Sequence, residues 1–200
     1  MTTDPTHTEK MKALQTEQKK KTSEARDPGR GLILVHTGNG KGKSSSAFGV
    51  IIRALGWGHK VGVVQFIKGK WITGERQFFA KFADQVSWHT MGEGFTWDTQ
   101  DKDRDIAAAE AAFARACEMM QSGDYDLIVL DEINIALRYD YLDVQAVIEG
   151  LKARSDRTSV ILTGRDAKPE LMKYADLVSE MTEVKHPFKA GIKAQRGLDF

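Results

Sequence analysis

The chain has 200 residues, 41% of them hydrophobic and 28% charged, enough for one domain with a sizeable core, and no run approaches the ~20 apolar residues of a membrane span. A net charge of +1 supplies no global field for nucleic acid, and the lone Cys117 excludes an intramolecular disulfide framework. The opening Met-Thr-Thr-Asp-Pro-Thr-His lacks the apolar centre of a secretory signal, so the expected compartment is the reducing cytoplasm.

Residues 1–30 are polar, with Lys19, Lys20 and Lys21 at their centre and Pro28-Gly29 closing them. Thr8 to Arg26 can form a helix with Met11 and Leu14 as a sparse apolar edge, which buries too little to hold a lone helix. Two readings stand: a solvated tail, or a segment that docks over a ligand or a partner subunit. The remainder, 31–200, reads as a single domain.

That domain opens with Leu32-Ile33-Leu34-Val35, an aliphatic run suited to a strand covered on both faces. Thr37-Gly38-Asn39-Gly40-Lys41-Gly42-Lys43-Ser44-Ser45 follows, a glycine-rich turn leading into a helix. Its backbone N–H groups can wrap an anion, Lys43 can reach terminal phosphates, the Ser44 hydroxyl can ligate Mg²⁺, and Lys41 adds a second positive charge. The strict P-loop pattern places glycine at position 37, where this chain has Thr37.

Ser44 to Trp57 carries Phe48, Ile51, Ile52 and Leu55 at helical spacing, and Gly56 and Gly58 end it. Val61 to Ile67 predicts a second strand, and Glu75 to Phe82 a short helix whose Phe78, Phe79 and Phe82 belong in the core. Gln85 to Met91 predicts a third strand. In the aperiodic stretch Gly92 to Thr99, Phe95 and Trp97 could either pack in the core or project together over a flat ligand.

Lys102 to Gln121 is an alanine-rich helix with Ile106, Ala109, Phe113, Ala116 and Met120 near one face, broken by Gly123. Leu127-Ile128-Val129-Leu130 then runs into Asp131-Glu132. Carboxylates at the end of such a strand, in a chain with a P-loop, hold Mg²⁺; a helix cap is the structural alternative. Val144 to Ala153 predicts a helix, Ser159 to Thr163 a buried strand ending in Gly164-Arg165, Pro169 the start of a short helix, and Asp176 to Met181 a last strand. The basic tail from Val184 is either a solvated end or a phosphate-facing flap.

Alternating strands and helices predict an α/β fold, a mainly parallel sheet with helices on both faces. Loops at 37–43, 67–74, 92–99, 131–132 and 164–165 then converge beyond the strand C-termini. These residues specify an ATP or GTP site with Mg²⁺ and leave three outcomes open: phosphoryl transfer or hydrolysis, attack on the nucleotide 5′-carbon, or a non-enzymatic switch. Lys43 and Mg²⁺ stabilise negative charge in both of the first two.

The glycine loop with threonine at its first position resembles the ATP:corrinoid adenosyltransferases of the P-loop type. So do Val63-Val64-Gln65-Phe66-Ile67-Lys68-Gly69, Gly94-Phe95-Thr96-Trp97, Val129-Leu130-Asp131-Glu132, Thr163-Gly164-Arg165 and the tail from Val184 to Gln195. The resemblance runs from about residue 30 to the end of the chain. It implies a single P-loop NTPase-like (RecA-like) domain that transfers the 5′-deoxyadenosyl group of ATP to the Co(I) of a corrinoid and releases triphosphate.

By the same resemblance, ATP binds reversed relative to ordinary P-loop NTPases. Gly38, Asn39, Gly40, Lys41, Gly42, Lys43, Ser44 and Ser45 cradle the triphosphate, with Lys43 neutralising it. Ser44 and Glu132 hold Mg²⁺ (or Mn²⁺) with Asp131 in support, Arg53 contacts the nucleotide, and Phe95 and Trp97 displace the corrinoid's lower ligand. The resemblance also implies a homodimer and a reduced flavoprotein as electron donor, while the charge and the apolar patterning predict no nucleic acid or membrane partner.

Overall fold

In the computed structural model, residues 5–67, 73–90 and 101–199 are described. Six parallel strands form one sheet in the order β3-β2-β4-β5-β1-β6. They are β1 (Ile33–Thr37), β2 (Val61–Gln65), β3 (Val86–Thr90), β4 (Leu127–Asp131), β5 (Ser159–Thr163) and β6 (Leu177–Glu180). The expected α/β architecture is therefore observed.

Helices cover both faces, and the side-chain alternation along each strand sorts the core into two halves. On one face Val61, Val63, Leu127, Val129 and Ile161 meet α2 (Lys43–Gly56) through Ala47, Phe48, Ile51 and Ala54. Phe79 of α3 (Gly74–Phe79) and Trp88 of β3 complete this half, with Phe48–Trp88 and Phe79–Trp88 ring centroids 5.5 and 6.0 Å apart. On the other face Ile33, Val35, Val64, Ile128, Leu130, Val160 and Leu162 meet α4 (Lys102–Ser122), α5 (Ile133–Arg138), α6 (Val144–Lys152) and α7 (Pro169–Tyr174).

Three expectations need correcting. Phe78, read as core, is 43% exposed, and Phe79 is the buried residue of α3. Ile52 does not join the buried stripe of α2: it is 55% exposed, since the stripe runs through Ala47, Phe48, Ile51 and Ala54 and Ile52 lies about 100° further round the helix than Ile51. The helix α5 was not anticipated. Four of its six residues are buried, Ile133, Asn134, Ala136 and Leu137, and so short a segment carries no legible amphipathic period.

The N-terminal ends of the strands are strapped by arginines. Arg30 donates two bonds to Asp176, at 2.8 and 2.6 Å, while Asp176 also accepts the Ile33 N–H at 2.8 Å. Arg154 donates to the carbonyls of Leu151, Thr158 and Gly31. Upstream, α1 (Pro5–Glu24) is helical although it is exposed along its length and buries little, with an i,i+4 pair of Glu17 and Lys21 at 2.6 Å. Stiffening one end of the sheet leaves the opposite, C-terminal edge to carry loops whose positions the strands determine.

Candidate nucleotide-binding site

Thr37 ends β1 at that C-terminal edge, and its presence in place of glycine has a local reason. Its hydroxyl is buried and accepts the Ala167 N–H at 3.0 Å, while its carbonyl accepts the Met181 N–H at 2.8 Å. The loop therefore begins tied to the segments after β5 and β6. Gly38 and Gly42 stand at φ 93° and 111°, which a side chain rarely tolerates. Gly40 donates its N–H to the Met181 carbonyl at 2.6 Å, and a Cβ there would lie 2.8 Å from Thr182 backbone.

The loop delivers Gly42 as the N-cap of α2. No side chain caps this helix and no acidic residue stands in its first turn. By contrast, Thr73, Asp101 and Asp143 cap α3, α4 and α6 through their side chains. An uncapped helix start facing a concave backbone loop presents N–H groups to an anion. Lys43, the first residue of α2, is 7% exposed and folds back to donate to the Gly40 carbonyl at 2.6 Å. Burial lowers its pKa, opposed by the charge of Glu132. A desolvated ammonium of this kind acts strongly on a phosphate.

Behind the loop, His36 is buried, and burial lowers its pKa. Its Nδ1 lies 2.9 Å from Ser46 Oγ, which donates to the Lys43 carbonyl at 2.9 Å. With the single hydroxyl proton committed to Lys43, the Nδ1–H tautomer donates to Ser46, and the chain His36–Ser46–Lys43 sets the first turn of α2.

Across the edge, β4 ends in Asp131 and Glu132. Asp131 is 4% exposed, and both of its oxygens accept hydrogen bonds: Oδ1 from the Thr163 hydroxyl at 2.8 Å, Oδ2 from Gln65 Nε2 at 3.0 Å. Glu132 adopts the left-handed conformation, φ 62°, and its N–H donates to Thr163 Oγ1 at 2.9 Å. Burial, then the adjacent Asp131 charge, pushes the Glu132 carboxyl up to about 7, against the pull of Lys43 and Arg165. Arg165 follows the C-terminal end of β5 by two residues, which places it at the same edge, and its charge helps lower the Lys43 pKa.

The structure thus brings Gly38 to Ser45, Asp131 and Glu132 to one edge. Lys41 is partly committed, forming an ion pair with Asp199 of the tail. Arg53 is exposed on α2, about 15 Å along the helix from Lys43. Phe95 and Trp97 lie outside the described residues. Gln65, Thr163 and His36 were not anticipated as site residues. The legible signal was a polar residue closing an otherwise apolar strand at its C-terminal end.

A parallel sheet, a glycine loop opening an uncapped helix, and acidic residues ending a neighbouring strand define a P-loop nucleotide-binding protein. Residues 29–200 match the family described as ATP:corrinoid adenosyltransferase BtuR/CobO/CobP, and the chain belongs to that family. It is 54% identical over 197 residues to a corrinoid adenosyltransferase of Pseudomonas aeruginosa, covering 98% of this chain and 97% of the relative. A corrinoid adenosyltransferase of Sinorhizobium sp. is 53% identical over 173 residues, covering 86% of this chain and 81% of its own. One from Escherichia coli K12 is 46% identical over 171 residues, covering 86% of each chain.

Proposed function

We propose that this protein transfers the 5′-deoxyadenosyl group of ATP to the Co(I) centre of a corrinoid, in adenosylcobalamin biosynthesis and corrinoid salvage. Co(I) attacks C5′ with its electron pair, the cobalt–carbon bond forms, the C5′–O bond breaks, and triphosphate leaves. The observation that carries the reading is the family match over residues 29–200, joined to a buried Lys43 inside the glycine loop. Because Co(I) is itself a strong nucleophile, the protein needs no general base. Its work is positioning and stabilising a leaving group that gains negative charge.

In this reading Gly38 to Ser45 cradle the triphosphate, Lys43 neutralises it, and Arg53 contacts the nucleotide. Phe95 and Trp97 displace the lower ligand of Co(II), which eases its reduction. Ser44 and Glu132 hold Mg²⁺, or Mn²⁺ in its place, with Asp131 in support. Two carboxylates and a hydroxyl suit Mg²⁺, which takes its remaining ligands from phosphate and water. Burial first, and then the Asp131 charge, disfavour the ionised Glu132, and a cation bound there would offset both. When bound, the ion supplies charge neutralisation at the departing triphosphate.

The fuller reading places a homodimer in the cytoplasm with a reduced flavoprotein as electron donor, and residues 1–30 as a separate segment, flexible or docking on the partner; an exposed α1 is in keeping with either. The test is anaerobic incubation with ATP, Mg²⁺ and chemically reduced cobalamin or cobinamide. A light-sensitive alkyl-cobalt product, absent with Lys43→Ala, supports the proposal; no such product from the parent protein contradicts it.

A further inference from the structure

We infer that Thr163 is a positioning residue for metal binding: its hydroxyl ties Asp131 and Glu132 together at the sheet edge that carries the nucleotide loop. This rests on the reading of Glu132 as a metal ligand. Thr163 ends β5 beside Asp131 on β4, and it is fully buried. A threonine at that depth must satisfy its hydroxyl, and it does so twice, donating to Asp131 Oδ1 at 2.8 Å and accepting the Glu132 N–H at 2.9 Å.

The second bond has the larger consequence. Glu132 leaves the sheet at φ 62°, so the Thr163 hydroxyl serves as acceptor for an N–H that has left the strand geometry. That turn reverses the chain into α5 and carries the Glu132 side chain over Gly164. There a Cβ on residue 164 would stand 3.2 Å from Glu132 Oε2. Position 163 thus sets the backbone of Glu132, and position 164 leaves room for its carboxylate.

Asp131 is fixed from its other side. Gln65 Nε2 donates to Oδ2 at 3.0 Å, and Gln65 Oε1 accepts from Trp88 Nε1 at 3.1 Å. Trp88 is wedged against Phe48 and Phe79. A line of hydrogen bonds therefore crosses β3, β2, β4 and β5, and Thr163 is the member that joins both carboxylate residues.

The test compares Thr163→Val, which keeps the shape and removes the hydroxyl, with Thr163→Ser, which restores it, and with Glu132→Gln. Mn²⁺ uptake by the protein–ATP complex is read from the paramagnetic resonance of free Mn²⁺, and ATP affinity without metal by calorimetry. Thr163→Val weakens Mn²⁺ uptake about tenfold or more, leaves metal-free ATP affinity within about twofold, and Thr163→Ser returns most of the loss. Should Thr163→Val not fold, Thr163→Ala, which also lacks the hydroxyl, carries the same comparison. Parent-like Mn²⁺ uptake in the hydroxyl-free variant while Glu132→Gln loses it overturns the role of Thr163 alone. Retained uptake in Glu132→Gln overturns the metal reading and this inference with it.

Discussion

Replacing Glu132 with glutamine should make the ligand-free protein more stable while removing its metal-dependent function. The folded state raises this carboxyl from 4.5 to about 7, chiefly through burial and the charge of Asp131. The folded protein therefore holds the proton more tightly than the unfolded chain does. The penalty for ionising Glu132 is absent below about pH 4.5 and complete above about pH 7. A shift of that size corresponds to about 3 kcal/mol. Glu132 is only half-buried, and access of water to the edge reduces the expectation to about 1–3 kcal/mol.

Urea unfolding of parent and Glu132→Gln near pH 8 and near pH 5 measures the difference. The variant should be more stable by about 1–3 kcal/mol at the higher pH, with a Tm several degrees higher, and the difference should shrink to under about 1 kcal/mol at the lower pH. The same variant should lose Mg²⁺-dependent turnover. A variant less stable than the parent at both pH values would refute the electrostatic account of this edge.

Gly40→Ala should weaken ATP binding on the order of tenfold, since the added methyl meets Thr182 backbone; isothermal titration measures it. Gly49→Ala, at a mid-helix position of α2 with open space around it, should instead raise stability by up to about 1 kcal/mol and leave ATP affinity unchanged. At the opposite end of the sheet, the two bonds from Arg30 hold Asp176 down at about 2. The stability they contribute, about 1 kcal/mol after allowance for solvent, is present above about pH 4 and lost as pH falls through about 2. Asp176→Asn should remove it in denaturation curves near pH 7 without altering ATP affinity. Trp97→Ala should bind ATP normally and react normally with preformed Co(I), yet fail from Co(II) with its lower ligand in place; normal reaction there would return Trp97 to the core.

Buried strands were the most legible part of the fold. Ser159–Thr163 and Leu127–Asp131 are short aliphatic runs bounded by polar residues, and both appear as read. The glycine loop was legible because strand, loop, lysine and helix coincide within a short span. Periodicity failed where a segment is too short to show it or the buried stripe is narrow. The six-residue α5 buries four of its residues, and Ile52 sits beside the buried stripe of α2 while facing solvent. Within the site, Lys43 and Glu132 carry motif signals, whereas Thr163, Gln65 and His36 act through partners more than nine residues distant along the chain. For Thr163 and Gln65 the sheet order, which sets β5 beside β4 and β2 on its other side, makes those partners neighbours; for His36 it is the glycine loop that folds α2 back onto β1.

The central claim is that the glycine loop grips a leaving group while bond formation occurs at C5′. Phosphorus resonance of an anaerobic reaction with reduced corrinoid tests it most directly, by identifying what ATP becomes as the alkyl-cobalt product accumulates. One inorganic triphosphate for each cobalt–carbon bond is the predicted result. ADP and orthophosphate in its place would contradict the account.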